Sequence, residues 1–469
     1  MNLRRIAKIA FSSLTSRPYP ESPAQGSAPA LADALPQGFL LGTATASHQV
    51  EGGNDNDWTD WERGAHPDGT PHIKDRTVSG AACDSWNRFD DDFACMKKLG
   101  ANAYRMSVEW SRLEPSEGAW NEAAADRYLD WATRLREAGI TPMVTLHHFT
   151  LPRWVATQGG WMSDRTIDLA ASFAGRVARR LGGAVDLWCT INEPNVLMTL
   201  GYLKGIWPPG MREQRIAGGV FARLVKAHAR MAQAVHENDR KDADGDGHAT
   251  RIGIAHHVRI FQPASRSPMD KIVSGFMDTL FNQALIDAHL HGRVQITVPG
   301  VVDIDEEVPG LAGSYDYLGL NYYGRDHVTA DLGDPSLSRQ FVPEDRPVSD
   351  LGWDIYPEGL YLVLKRYGSL GLPIYVTENG IADRSGMSRP AFLRAHFDAL
   401  VRAAREGVPV RGYFHWSLLD NFEWAEGHEP RFGLFRVDYD SPEKKRTATP
   451  AVETFQEIAR QLGLRPEAP

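Results

Sequence analysis

From residue 37 onward the chain alternates short, densely apolar runs with longer stretches of helical apolar spacing. The runs Phe39–Thr45, Ala103–Val108, Pro142–His147 and Val185–Ile191 are rich in Val, Ile, Leu and aromatic residues, as strands buried on both faces should be. Arg251–Val258, Tyr317–Tyr322, Pro373–Thr377 and Val410–Trp416 follow the same pattern. Between them the spacing predicts helices over Phe89–Leu99, Ala123–Ala138, Leu169–Leu181, Val220–Glu237, Gly359–Tyr367 and Arg389–Glu406. The second ends in Gly139, the residue type that most readily takes the left-handed turn after a helix. A last helix, Ala451–Leu462, would close the ring. Eight strands alternating with helices predict an α/β chain folded as a single (β/α)8 barrel with elaborated loops over residues 37–465. An open doubly wound sheet would place a glycine-rich phosphate loop after an early strand, and none is present.

Of the 469 residues, 42% are hydrophobic and 24% charged, enough apolar side chain for a large core. The net charge of −9 argues against nucleic acid or an anionic membrane as partner. No run approaches the ~20 apolar residues that span a bilayer, so no stable membrane association is expected. The N-terminal MNLRRIAKIAFSSLTS pairs basic with apolar residues, but Lys8 interrupts the apolar run and Ser12 and Ser13 end it, which makes a poor secretory signal. Residues 1–36 read as a flexible leader, rich in Pro, Ser and Ala from Ser16 onward. Cys83, Cys95 and Cys189 are odd in number and widely spaced, which argues against a disulfide framework and for a reducing, cytoplasmic compartment. A homo-oligomer is left open.

In such a barrel the reactive groups stand at the C-terminal ends of the strands. Those ends carry Thr43-Ala44-Thr45 leading to His48 and Gln49, then Arg105, His147-His148 and Asn192-Glu193. Asn321-Tyr322-Tyr323, Glu378-Asn379 and Trp416 complete the ring. A lone Glu at a strand end is more often a structural ion-pair partner. Two of them, Glu193 and Glu378, with Arg, His, Asn and Trp around them, suggest something else. Cleaving a glycosidic bond with retention needs two carboxyl groups ~5–5.5 Å apart, one ionised to attack and one protonated for the leaving oxygen. Arg105 and the Tyr323 hydroxyl would favour the ionised form of Glu378, and the resulting charge would raise the pKa of Glu193.

TINEPN (Thr190–Asn195) resembles the acid/base signature of glycoside hydrolase family 1, the β-glucosidase and β-galactosidase family, and YVTENG (Tyr375–Gly380) resembles its nucleophile signature. FLLGTATASHQVEG, YRMSVEWSRLEP, LHHFTLPRW, LGLNYY, GWDIYPEGL and FHWSLLDNFEWAEG extend the resemblance over nearly the whole chain. The resemblance implies that Glu193 is the proton donor and Glu378 the nucleophile of an exo-acting, retaining β-glycosidase. Gln49, His148, Asn192 and Glu423 would bind hydroxyls of the terminal sugar, Asn192 the 2-hydroxyl. Trp416 would be the floor under the sugar, Trp424 would meet its outer hydroxyls, and Asn321 and Tyr323 would line the nucleophile side. Trp353 would stand at the entrance beside the leaving group. The substrate implied is a small β-glycoside or oligosaccharide, glucosyl, galactosyl or fucosyl, and no cofactor is called for. A transglycosylase using the same carboxylates with an alcohol or glycolipid acceptor is the alternative.

Two positions depart from the family's pattern. Phe149 stands where Trp is usual, which removes an indole N–H near the 3-hydroxyl, and His48 stands where an aromatic residue is commoner. Family members that act on 6-phosphorylated sugars have a neutral residue at the position of Glu423, with Lys and Tyr where this chain has Pro430 and Phe432. A carboxylate there repels phosphate and suits free hydroxyls. No metal site is expected. His147 and His148 lack a third ligand at suitable spacing. The run Asp242 to Gly247 imitates a calcium loop but has Gly253 where the closing Glu belongs, so it reads as a solvated acidic loop.

Overall fold

The computed structural model describes residues 34–331, 333 and 338–466, so most of the expected leader, and part of the Asp331–Asp345 loop expected near the leaving group, lie outside the described residues. Eight parallel strands close into a barrel: β1 (Leu40–Ala44), β2 (Ala103–Ser107), β3 (Thr141–His147), β4 (Leu187–Asn192), β5 (Arg251–Pro263), β6 (Tyr317–Ala330), β7 (Ile374–Asn379) and β8 (Val410–Trp416). Each pairs with the next in sequence, and β1 with β8 closes the ring. Every apolar run singled out in the sequence is one of these strands.

The strands pack inward and outward at once, which is why they read as unbroken apolar segments. Ala103, Met143, Leu187, Tyr317, Tyr375 and Phe414 fill the lower interior, with Trp416 and Tyr323 above them at the mouth. Helices wrap the outside, each on an apolar stripe. Arg165–Leu181, for instance, buries Ile167, Phe173, Val177 and Leu181, each stabilising the fold by roughly 1.5–3 kcal/mol. After the helix Glu122–Glu137, Gly139 takes the left-handed conformation (φ +73°) that the sequence assigned it.

Two features lie outside the sequence reading. A helix follows β5, Pro268–Met277, continuing through a π-helical turn, Asp278–Gln283, into Ala284–His291. Gly275 and Asn282 interrupt its apolar pattern, and its buried apolar residues are Val273, Ala284, Leu285, Ile286 and Ala288. In addition, β5 and β6 run beyond the expected Val258 and Tyr322 and stay paired as far as Pro263 and Val328. They rise past the mouth as a ribbon, joined by the antiparallel strand Ser338–Phe341.

Candidate active site

Glu193 follows the last residue of β4, and Glu378 is the penultimate residue of β7. Both strands carry an extra residue just before these positions. Against β5, β4 advances three residues from Cys189 to Asn192 while its partner advances two, from Gly253 to Ala255. Against β6, β7 advances two from Val376 to Glu378 while its partner advances one, from Leu320 to Asn321. Such bulges re-aim side chains at the rims of barrels. Glu193 is also held at φ +44°, left-handed backbone that a non-glycine residue enters at a cost, and Pro194 starts a short helix directly after it. Phe149 (φ +75°) and Trp424 (φ +49°), at the same mouth, share this conformation. Behind it, Gly380 admits no side chain, because a Cβ there would fall 1.7 Å from the Trp416 carbonyl oxygen.

Both oxygens of Glu378 are occupied. Arg105 Nη1 donates to Oε1 at 2.5 Å and the Tyr323 hydroxyl donates to Oε2 at 2.6 Å. Arg105, fully buried, also donates to Asn192 Oδ1 at 2.7 Å and to Thr145 Oγ1 at 3.1 Å. Asn321 Nδ2 donates to Asn192 Oδ1 at 3.2 Å and to Glu193 Oε1 at 2.8 Å, while its own oxygen accepts from Thr377 at 2.7 Å. One hydrogen-bonded chain, Glu378–Arg105–Asn192–Asn321–Glu193, therefore joins the two carboxyls across the barrel. The structure adds His257, whose Nδ1 lies 2.8 Å from Glu193 Oε1.

This extra contact gives Glu193 a donor that the sequence analysis does not count. Burial pushes the Glu378 carboxyl up to about 7, with the charge of Glu193 adding to burial against the pull of Arg105. Glu193 is also raised by burial, but the His257 ring, the Asn321 amide and Arg105 together hold it below the ordinary value. In the free protein the two groups share about one proton between them. The sequence alone places it on Glu193, counting the donors to Glu378 and neither of those to Glu193, Asn321 and His257. Burial, Glu378, Glu426 and Glu193 push the half-buried Glu423 up to about 8.

The remaining expected residues converge on the same mouth. His148 stacks near Trp416 (ring centroids 6.0 Å apart, planes at 19°) and near Trp424 (6.1 Å, 14°). Its Nε2 accepts from Asn192 Nδ2 at 3.2 Å. Gln49 Nε2 donates to the Phe422 carbonyl at 2.8 Å and lies 3.4 Å from Glu423 Oε2. Gln49 Oε1 and His148 Nδ1 are buried with no hydrogen-bond partner among the described residues, unusual unless a ligand hydroxyl meets them. Half-buried Trp353 packs on Tyr323 and Phe432 at 5.5 and 6.1 Å, with the Arg259 guanidinium 5.8 Å from its ring.

The departures have structural reasons. Phe149 is buried against Trp207, from the loop 205–212, at 4.8 Å and against Trp424 at 5.1 Å. His48 faces no ligand: Glu62 takes its Nε2 at 2.8 Å, Asn56 Nδ2 its Nδ1 at 3.1 Å, and its ring backs Trp424 at 5.5 Å. His147 turns away to accept from the Trp161 indole at 3.2 Å. The acidic loop meets Asp186, with carboxylate oxygens of Asp186, Asp242 and Asp244 within 4.8 Å of one another. Arg136 already supplies a cation there, 2.9 Å from Asp186 and 3.9 Å from Asp244, and Asp242 accepts N–H groups of its own loop.

A closed barrel with two buried carboxyls linked across its mouth defines a class of glycoside-cleaving enzymes, and sequence comparison agrees. Residues 31–464 match the family described as glycosyl hydrolase family 1, and the chain belongs to it. Beta-glucosidase A of Thermotoga maritima is 34% identical over 455 residues, covering 92% of this chain and 98% of that protein. The bifunctional beta-D-glucosidase/beta-D-fucosidase of Bifidobacterium breve is 33% identical over 454 residues, covering 87% and 95%. Among solved structures, a beta-glycosidase from Pyrococcus horikoshii superposes with a TM-score of 0.82 at 36% identity, covering 91% of this chain and 95% of its own. The chain is a β-glucosidase-like O-glycosyl hydrolase acting on glycosides. Among the described residues no helix is long and apolar enough to cross a membrane.

Proposed function

We propose that the enzyme removes terminal, non-reducing β-D-glucosyl residues, and galactosyl or fucosyl residues, with retention of configuration. Glu378 attacks the anomeric carbon as the glycosidic C–O bond breaks, and Glu193 passes its proton to the leaving oxygen. Water then attacks the glycosyl-enzyme, its proton goes to Glu193, and Glu378 leaves as carboxylate. One observation carries this reading above the others: Arg105 and Tyr323 fill both oxygens of Glu378, while the chain through Asn192 and Asn321 ties it to Glu193. A glycosidic oxygen beside Glu193 and developing positive charge beside Glu378 both draw the shared proton to Glu193.

The sugar would rest on Trp416, with Asn192 at its 2-hydroxyl and Gln49, His148, Glu423 and Trp424 around its other hydroxyls. Trp353, Asn321 and Tyr323 would flank the leaving group and the nucleophile. Glu423, holding its proton to about 8, can donate to a neutral hydroxyl pair as well as accept from it. The relatives named for glucosides and fucosides support this choice of sugars. Residues 37–465 are taken as one catalytic unit following a leader and working in the cytoplasm, as a monomer or a homo-oligomer. Transfer to an alcohol or glycolipid would use the same carboxylates, and product analysis with and without acceptor separates it from hydrolysis.

Aryl β-glucoside, β-galactoside, β-fucoside and β-mannoside assayed in parallel test the activity, and no turnover of any would sink it. For the assignment of roles, Glu378→Gly should regain turnover with azide and yield the α-glycosyl azide. A β-azide would instead identify residue 378 as the acid/base.

A further inference from the structure

His257 stands where β5 passes the mouth and has no part in the scheme above. Its Nδ1 lies 2.8 Å from Glu193 Oε1, the same oxygen that accepts from Asn321 at 2.8 Å. The ring is buried, nearly parallel to Tyr323 (5.7 Å, 23°) and edge-on to Phe281 (5.8 Å, 84°), so it is clamped in this pose. Its Nε2 meets no hydrogen-bond partner among the described residues. The ring proton belongs on the nitrogen that faces an acceptor, which is Nδ1. Glu193 Oε1 thus receives two N–H donors, and a proton of its own would collide with both.

We propose that His257 is a positioning residue for the acid/base: with Asn321 it fills Glu193 Oε1, so that proton delivery and proton uptake both run through Oε2 and Glu193 stays ionised in the glycosyl-enzyme. This rests on the reading of Glu193 as acid/base. In the second half-reaction the water oxygen bonds to the anomeric carbon and the bond to Glu378 breaks. The electron pair returns to Glu378, and the water's proton passes to Glu193 Oε2.

The groups facing this pair leave His257 in control of that step. Arg105 from β2 stays charged, and Glu378 from β7 is an ester with no charge. Glu423, after β8, is still raised by burial, Glu426 and Glu193, without the contribution of the esterified Glu378. Tyr323 from β6 is a neutral phenol, raised far out of reach by burial. His256, beside it on β5, is pushed down to about 4 by burial and donates its Nε2–H to the Asn282 carbonyl at 2.7 Å.

The test is the pH dependence of kcat on a 2,4-dinitrophenyl β-glucoside, whose leaving group needs no acid. Release of the sugar then limits turnover, and the acid limb reports Glu193 alone. The limb should lie below pH 4.5 in the wild type and move up by about one unit in His257→Phe, so that the loss of kcat grows as pH falls and approaches tenfold only below both limbs. His257→Asn, which keeps an N–H donor, should return the limb toward the wild-type position. An active His257→Phe enzyme with an unmoved limb overturns the proposal. Should that variant not fold, a wild-type limb at or above pH 5 overturns it as well. A wild type that cleaves no glycoside would instead defeat the reaction assigned under Proposed function.

Discussion

Arg105 and Glu378 form an ion pair at 2.5 Å with both side chains sealed from solvent. Neither group could bear such burial alone, and the pair anchors a network that reaches Asn192 and Thr145. Replacing Arg105 by Met should therefore abolish glycosidase activity and destabilise the fold by about 3–5 kcal/mol, the usual cost of leaving one buried charge unpaired. Thermal unfolding and an aryl glycoside assay read the two effects. A variant of unchanged stability would mean that Glu378 does not depend on Arg105.

The shared proton sets the pH range of the first half-reaction. Only the form of the pair with one proton is productive, and it exists between the low value at Glu193 and the value of about 7 at Glu378. The kcat/KM profile should be a bell, with its acid limb below 4.5 and its alkaline limb near 7. A flat profile from pH 6 to 9 would contradict it.

Stability should peak between about pH 4.5 and 6.5, where two opposing trends meet. Burial pushes His147, His228 and His415 down to about 3, and His256, His289 and His396 to about 4. Their depressed values mean that the unfolded chain binds more protons below about 6.5, so stability is lost as pH falls through that range. Burial raises Glu51 and Asp57 to about 7 and Glu423 to about 8, so their contribution is whole only below about 4 and is lost as pH rises from there through 7 to 8. Melting temperatures at pH 3.5, 5.5 and 9 should be highest in the middle, and a steady climb to pH 9 would refute the balance.

Restoring an indole at position 149 should not be free. Phe149 is hemmed in by Trp207 and Trp424, so Phe149→Trp overpacks the site and should cost about 1–3 kcal/mol. Trp207→Phe in the same chain should recover most of that loss, as calorimetry of the single and double variants would show.

The barrel was legible because its strands are buried on both faces, so each left an unbroken apolar run such as Tyr317–Tyr322 or Val410–Trp416. The two carboxyls could be picked out because each ends such a run. His257 was harder to see. It sits inside an apolar strand next to His256, and only the β4 bulge, invisible in sequence, turns Glu193 toward it. The helix from Pro268 is hard to read because few of its apolar residues are fully buried and a π-helical turn shifts their spacing. His48 reads in sequence only as a departure from the family's pattern, and the partners that occupy both its nitrogens, Glu62 and Asn56, are set by the fold.

The buried Arg105 has one last consequence for the reaction. Before attack its positive charge faces a carboxyl pair carrying one proton. Once the sugar is attached, Glu378 is an ester and Glu193 has given up that proton, so the guanidinium still faces a single negative charge. The barrel interior remains electroneutral through the whole cycle and has no need to import or expel a counterion, so turnover of an uncharged glycoside should be indifferent to ionic strength.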